Sequence, residues 1–596
     1  METLDDSLER WFQIPPIEGE DKVCSASEAI ERHIRPGMSI HIAATHSRAY
    51  GLLYELIRKF WGKDPGFEFI TMGVTGPCVA LVHGGLGRSY QTTFIGDPYP
   101  TPGPNPIYQE AFRTQKLFLR HWSILTFTLR LKAGAMDMAG YPTRSLLGST
   151  MEKENAEDFR VVEDFFGDER PTGVLRPLNP DISLIHGWVS DRNGNVLFTP
   201  PYGEGFYGAM ASREGTVVSV ERIVSTDFIR RHNNLIKIPG SLVRCVVPIA
   251  MGSHPSGLSS QGIPEMESYA DDYDFLEDMR KASRDPERLD AWIRHWILAP
   301  ETRSAYAGRL GKDRIGFLKG KARGDSWYAD ILELAAQVDW KAPPNAQEKM
   351  IMAAAKMMAR RCLENGYRHL LAGVGAANLA SWLALRRLKE SGHDAEVMAE
   401  IGFYGYAPRP ADPFIFNYRN MPTCKMLSDV ETIMGQFVSG SDSRTLGAIG
   451  AGQVDRWGRV NSTLMEGDIL LVGSGGANDV ASGAEETLVV CPQEKYRFPQ
   501  DVHYVTSPGE NVRTVVSDMG VFQKERGRQT LRLTAVLGTF SGNELDERVR
   551  EIKQRCGWDL EVGEPLETLA VDDAEFLEML RLYDPKRQFL GKIRTH

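Results

Sequence analysis

No run of this sequence reaches the ~18 consecutive apolar residues that a membrane-crossing helix requires, so no transmembrane segment and no membrane partner are expected. It has no basic block either. The 69 Lys and Arg are scattered among 79 Asp and Glu and the net charge is −10, so nothing points to nucleic acid or to an anionic membrane surface. Cysteine is sparse: Cys24, Cys78, Cys245, Cys362, Cys424, Cys491 and Cys556 stand far apart with no Cys-x-x-Cys pair. That dispersed, odd-numbered set argues against a zinc site and reads as reduced core thiols rather than a disulfide framework. Three catalytic signatures are also missing, the Gly-x4-Gly-Lys-Ser/Thr loop, the Gly-x-Ser-x-Gly elbow and His-Glu-x-x-His. With them go the P-loop, nucleophile-elbow and zincin chemistries, and no metal is expected. The opening Met1-Glu2-Thr3-Leu4-Asp5-Asp6 is acidic where a secretory leader is basic and then apolar, which reads as a cytoplasmic protein.

What is present is an ordinary globular composition, 42% hydrophobic and 25% charged over 596 residues. At about 150 residues per domain this length divides into two to four units. Residues 27–62 read as helix, strand, helix, with Met38 to Ala44 as the strand and amphipathic Tyr50 to Trp61 after it. Apolar runs follow at Glu68–Val74, Trp122–Leu131, Ile182–His186, Thr216–Val220 and Leu242–Met251, which predict further strands. Strands alternating with helices favour a parallel sheet covered on both faces. Residues 265–345 carry many charges and little strand signal, which suits helices and a linker. The opening pattern then restarts with a helix at Gln347–Asn365, a strand at Tyr367–Val374 and a helix at Leu379–Lys389.

A closer repeat joins the two parts. Asp191-Arg192-Asn193-Gly194-Asn195-Val196 and Asp455-Arg456-Trp457-Gly458-Arg459-Val460 give Asp-Arg-x-Gly-x-Val twice, and Ala211-Ser212 and Ala481-Ser482 echo each other downstream. The predicted fold class is α/β, with two similar open, mostly parallel halves at 1–320 and 347–596, a linker at 321–346, and the active site in the cleft between them. In each repeat the Gly is expected in a turn that needs positive φ.

Two stretches invite chemistry. Gly473-Ser474-Gly475-Gly476-Ala477-Asn478 follows the apolar Ile469-Leu470-Leu471 and opens a helix, so its glycines serve either a ligand cradle or a tight turn. Gly373-Val374-Gly375-Ala376-Ala377-Asn378 is a similar strand-to-helix turn, too short of the dinucleotide fingerprint to imply one. Glu400, within Glu396-Val397-Met398-Ala399-Glu400-Ile401-Gly402 at the end of a short strand, stands where open α/β sheets place ligand sites, or is an exposed strand-end carboxylate.

Gly450 to Thr463, Gly473 to Asn478 and Val502-His503-Tyr504-Val505-Thr506-Ser507-Pro508-Gly509 together resemble the β subunit of class I CoA-transferases of the glutaconate type. Pro248 to Ser256 resembles the matching α subunit, so the chain looks like an α–β fusion. The resemblance implies an acyl-CoA and a carboxylic or dicarboxylic acid as small-molecule substrates, no tightly bound cofactor, and a homo-oligomer. It makes Glu400 the nucleophile, although Glu400-Ile401-Gly402 has Ile where the family has a small or polar residue. Attack on the thioester would pass through a mixed anhydride to a glutamyl-CoA thioester, giving ping-pong exchange. Backbone N–H groups of Gly375 and Ala376, or of Gly475, Gly476 and Ala477, would stabilise the oxyanion. Asn478 would orient the CoA arm or cap its helix. Thr45, His46, Ser47, Arg48, Gly402, Tyr404, Tyr406 and His254 are candidates for the acyl pocket, with packing as the alternative for the tyrosines and for His254. Other readings are a CoA-ester hydrolase, lyase or decarboxylase with Glu400 as general base, and a non-catalytic acyl-CoA binder.

Overall fold

The computed structural model describes residues 3–163, 165–167, 170–261, 263–525 and 527–592; Met1 and Glu2 of the acidic start lie outside them. The first half is built on a nine-stranded sheet: β1 (Ser39–Ile42), β2 (Phe67–Ile70), β3 (Gly87–Thr92), β4 (Phe118–His121), β5 (Ile182–Ser190), β6 (Val196–Leu197), β7 (Thr216–Ile223), β8 (Ile236–Ile238) and β9 (Val243–Pro248). The second holds ten: β10 (His369–Leu371), β11 (Glu396–Ala399), β12 (Phe403–Tyr404), β13 (Met426–Leu427), β14 (Thr445–Gly450), β15 (Glu486–Val490), β16 (Val512–Val516), β17 (Gly520–Gln523), β18 (Arg532–Leu537) and β19 (Val562–Leu569). Each sheet contains the same run of five parallel strands, β2-β1-β5-β7-β9 in one and β11-β10-β14-β15-β16 in the other.

Helices repeat in step. α1 (Ala26–His33) and α2 (Tyr50–Phe60) flank β1 as α7 (Ala346–Asn365) and α8 (Ala376–Glu390) flank β10. Short helices α4 (Gly205–Ala211) and α9 (Ala477–Gly483) lead into β7 and β15. The Asp-Arg-x-Gly-x-Val turns are equivalent: Gly194 (φ +96°) donates to the Asp191 carbonyl at 3.1 Å and Gly458 (φ +80°) to the Asp455 carbonyl at 2.9 Å. The central strands of both sheets run through the core, and every residue of β5 is buried. This explains why the strands read as continuous apolar runs rather than alternating ones.

Two expectations fail. Trp122–Leu131 is not a strand: it forms most of α3 (Ile124–Ala135), whose N-terminus is closed by a Ser123–Thr126 capping box. The helix is buried on nearly all sides, so its sequence has no polar stripe to betray the 3.6-residue period. Nor are all the cysteines free thiols. Val23 bridges to Val246 as an added edge beside β9, which brings Cys24 to a Cα–Cα distance of 6.3 Å from Cys245, and the two form a disulfide.

The connecting segment contains α5 (Lys312–Lys321) and α6 (Ser326–Leu334). α5 belongs to the first half, with the Ala270 N–H donating to the Leu318 carbonyl at 3.0 Å. α6 leans on the second, where Asp330 pairs with Arg419. Further on, Arg581 donates to the carbonyls of Asp339 and Ala342, each at 2.9 Å. Among the described residues no helix is long and apolar enough to cross a membrane.

Candidate active site

β11 ends at Ala399 and turns back at once into antiparallel β12, with Ala399 opposite Phe403, so Glu400-Ile401-Gly402 is the tight connection. Gly402 sits at φ +122° with the Ser428 carbonyl against the place a Cβ would take, so only glycine closes this corner. Glu400 is thereby fixed on a strand end and points at the start of α9, so close that a Cβ on Gly476 would stand 2.3 Å from its Oε2. Burial, then the negative charge of Asp479, push the Glu400 carboxyl up to about 7, against the pull of the Gly476 N–H.

The loop that precedes α9 is laced into the first half. Ile95 N–H donates to the Val472 carbonyl at 2.8 Å, Gly475 N–H to the Thr93 carbonyl at 2.9 Å, and Ile124 N–H to the Gly475 carbonyl at 3.1 Å. Asn478 accepts from Leu146 N–H and donates to the Thr506 carbonyl, both at 2.9 Å. Asp479 accepts from Ser123 Oγ at 2.5 Å and Leu125 N–H at 3.0 Å, sealing the N-terminus of α3, where a carboxylate also meets the positive end of the helix dipole. Its own carboxyl is pushed up to about 6 by burial.

Glu400 opens on a cavity of about 170 Å³ between the halves. Thr45, His46, Arg48, Phe94, Tyr99, Ile124, Asp271 and Tyr273 line it from the first half, and Val374, Ile401, Phe414, Phe416, Tyr418 and Gly475 from the second. The loop after β1 reaches it because fully buried Glu204 accepts the Ala44 N–H at 2.7 Å while Thr45 takes φ +50°. Arg48 Nη1 faces the hydroxyls of Tyr50 and Ser256 at 3.2 Å and Thr75 at 3.5 Å. His46 stacks on Tyr418, and burial, aided by Arg48, drops its imidazole to about 3, so it is neutral.

The sequence candidates therefore divide. Thr45, His46, Arg48, Glu400 and Gly475 meet at the cavity, and Gly476 touches Glu400. The others stand elsewhere, each for a visible reason. Ser47 gives its carbonyl to His186 N–H at 3.0 Å. His254 is wholly buried between Tyr306 and Asp272. Tyr404 packs on Phe437 and His369, and Tyr406 accepts from Trp382 in the core. Gly375 caps α8 against Phe589, and Ala376 is the first residue of that helix. Gly402 shapes the corner, and Asn478 holds the loop. As a cradle the glycine loop is mostly spent: Gly475 N–H is taken by Thr93 and Ala477 N–H by the Ser474 carbonyl, which leaves Gly476 as the donor beside Glu400. Asp479 and the rings of Tyr99, Tyr273, Phe414 and Phe416 escape sequence reading. Asp479 looks like an ordinary first-turn acid, and the rings come from four separated stretches with no shared motif. Among the described residues no cluster of His, Cys, Asp and Glu is placed to hold a metal ion.

Residues 23–248 match the family model described as Coenzyme A transferase. Two relatives, the paired polypeptides of glutaconate CoA-transferase from Acidaminococcus fermentans, match different halves. One of the pair is 24% identical over 318 residues, covering 50% of this chain and 94% of its own length. The other is 26% identical over 221 residues, covering 33% of this chain and 80% of its own length. In fold, the acyl-CoA transferase of Escherichia coli O157:H7, solved as a thioester complex with CoA, superposes with a TM-score of 0.62 at 15% identity over 95% of this chain and 97% of that one. The chain is of the class I CoA-transferase fold. It is similar to the glutaconate CoA-transferase type, with counterparts of the α and β subunits fused in one polypeptide.

Proposed function

We propose that this chain transfers coenzyme A between an acyl-CoA thioester and a carboxylic acid, with Glu400 as the nucleophile. The observation that carries the reading is the single strand-end carboxylate, met by a helix-start N–H and opening on an apolar cavity shared by both halves. The named relatives support the same reaction class.

Glu400 carboxylate attacks the thioester carbonyl, the C–S bond breaks, and CoA thiolate leaves an acyl-glutamyl anhydride. Thiolate then attacks the glutamyl carbonyl, freeing the first acid and leaving a glutamyl-CoA thioester. A second carboxylate repeats the two attacks in reverse, and Glu400 returns as carboxylate. Splitting the exchange this way replaces one unfavourable displacement by covalent steps of matched energy. Negative charge gathers on a carbonyl oxygen in each step; Gly476 N–H lies on the Glu400 side, and a donor of this kind contributes on the order of 3 kcal/mol. Every bond made or broken belongs to substrate or Glu400, so the scheme calls for no resident cofactor.

The test is trapping. Borohydride added with acyl-CoA is expected to reduce the glutamyl thioester to an alcohol at position 400, seen as a mass change in the peptide holding Glu400, with loss of activity. Full activity and an unmodified peptide would refute the covalent route and favour Glu400 as a general base in CoA-ester hydrolysis.

A further inference from the structure

Behind one wall of the Glu400 cavity lies a second, smaller one. Tyr99 and Tyr273, stacked with centroids 3.9 Å apart, line both. The smaller cavity measures about 30 Å³ and gathers three cations from separate stretches: Lys321 at the end of α5, Arg419 of the second half, and Lys586 far downstream. The Arg419 side chain is 2% exposed and its Nη2 pairs with Asp330, yet among the described residues its Nε and Nη1 have no hydrogen-bond partner. The Lys321 ammonium lies 3.9 Å from the Tyr273 ring centre and, among the described residues, makes no hydrogen bond or ion pair.

The acids around it are already served. Asp412 accepts from the Tyr273 hydroxyl and the Phe414 N–H, each at 3.0 Å. Asp584 accepts the N–H groups of Gln588, Phe589 and Leu590 at 2.8, 2.7 and 3.2 Å. Asp330 is 40% exposed. What is out of balance is therefore hydrogen bonding rather than net charge: buried N–H donors lack acceptors, and each one left so costs free energy. Burial holds the Lys321 ammonium below its usual value, Asp412 pulls it up and Arg419 pushes it down, so the two cations stand close enough to repel. A structural ion pair accounts for one nitrogen of Arg419 and for nothing at Lys321. The Gln588 amide donates to the Tyr99 hydroxyl at 2.7 Å and leaves its oxygen unpartnered; turned about, it would accept from Tyr99 and offer its N–H groups to the cavity. An acceptor-rich anion between Arg419 and Lys321 meets this demand, and guanidinium with ammonium suits phosphate oxygens. At ~10–15 Å³ per water-sized sphere the cavity admits about two or three oxygens, with Lys586 exposed at its edge.

We propose that Arg419, Lys321 and Lys586 form a subsite for one phosphate group, separate from the Glu400 cavity and independent of whether Glu400 transfers CoA. Inorganic phosphate and the phosphates of a CoA nucleotide share the chemistry it selects.

Calorimetric titration of the full-length chain at pH 7, with inorganic phosphate and with 3′-phosphoadenosine 5′-diphosphate at matched ionic strength, tests this. Saturable binding of at least one is expected, weakened about tenfold or more by Lys321→Met. Lys586→Met, a surface change that leaves the fold alone, is expected to weaken it about threefold. Displacement of bound phosphate by CoA would assign the subsite to the nucleotide, and binding that persists in saturating CoA would assign it to free phosphate. Absence of saturable binding of both ligands, or affinities that neither substitution changes, overturns the proposal.

Discussion

At the scale of the residue, the site turns on two carboxyls that the fold holds at raised pKa. Glu400 at about 7 and Asp479 at about 6 share the start of α9, one facing the cavity and the other facing α3. Only the carboxylate attacks a thioester, so kcat/KM is expected to fall about tenfold per pH unit below ~7, read from a pH–rate profile. The same shift has a price in stability. From its ordinary value of 4.5 to about 7, ionising Glu400 costs the folded state but not the unfolded one. The cost is absent below the unfolded value and complete above the folded one, so Glu400→Gln is expected to stabilise the chain by on the order of 1–3 kcal/mol at pH 8 and by nothing measurable at pH 4. Thermal melts at the two pH values check it. Glu400 is legible in the sequence because a strand end and a recognised pattern both mark it. Asp479 and the rings lining the cavity are not, since their meaning lies in what they touch across the cleft.

At the scale of the element, the loop before α9 changes role between sequence and structure. Its glycine density suggests a row of backbone donors, but most of its peptide groups are committed to Thr93, Ile95, Ile124 and Ser474. A pair of substitutions separates the two uses. Gly476 has φ −88°, open to any residue, yet a Cβ there would strike Glu400 Oε2. Gly476→Ala is therefore expected to keep the melting temperature within a few degrees while kcat drops by about two orders of magnitude, because the proposed nucleophile is displaced. Gly475 has φ +49° with open space around the Cβ position. Gly475→Ala is expected to cost about 1 kcal/mol of stability through backbone strain and to spare most activity. Steady-state kinetics beside thermal melts distinguish the two. α3 shows the limit of pattern reading here: a helix packed on nearly every side carries no amphipathic signature, so its apolar run reads as a strand.

At the scale of the whole molecule, the two halves and their order are legible because each repeats the same turn before the same strands. The seam is not, since α5 and α6 follow each other with no strand or linker signal between them but pack on opposite halves. The proposed break is Arg323-Gly324-Asp325, three exposed residues between them. Chains 1–324 and 325–596, expressed together, are expected to associate and to retain CoA-ester exchange within about tenfold of the intact protein, the loss being the effective concentration that the link supplies. Gel filtration and activity of the mixture check this. The lacing of the loop before α9 into the first half bears on time rather than on affinity. The proposed glutamyl thioester must outlast the departure of one acid and the arrival of the next, and during that wait water is its competitor. Parting the halves would break the same peptide hydrogen bonds that hold the loop beside Glu400, so a wider cleft between the two half-reactions would disturb the proposed nucleophile's own setting.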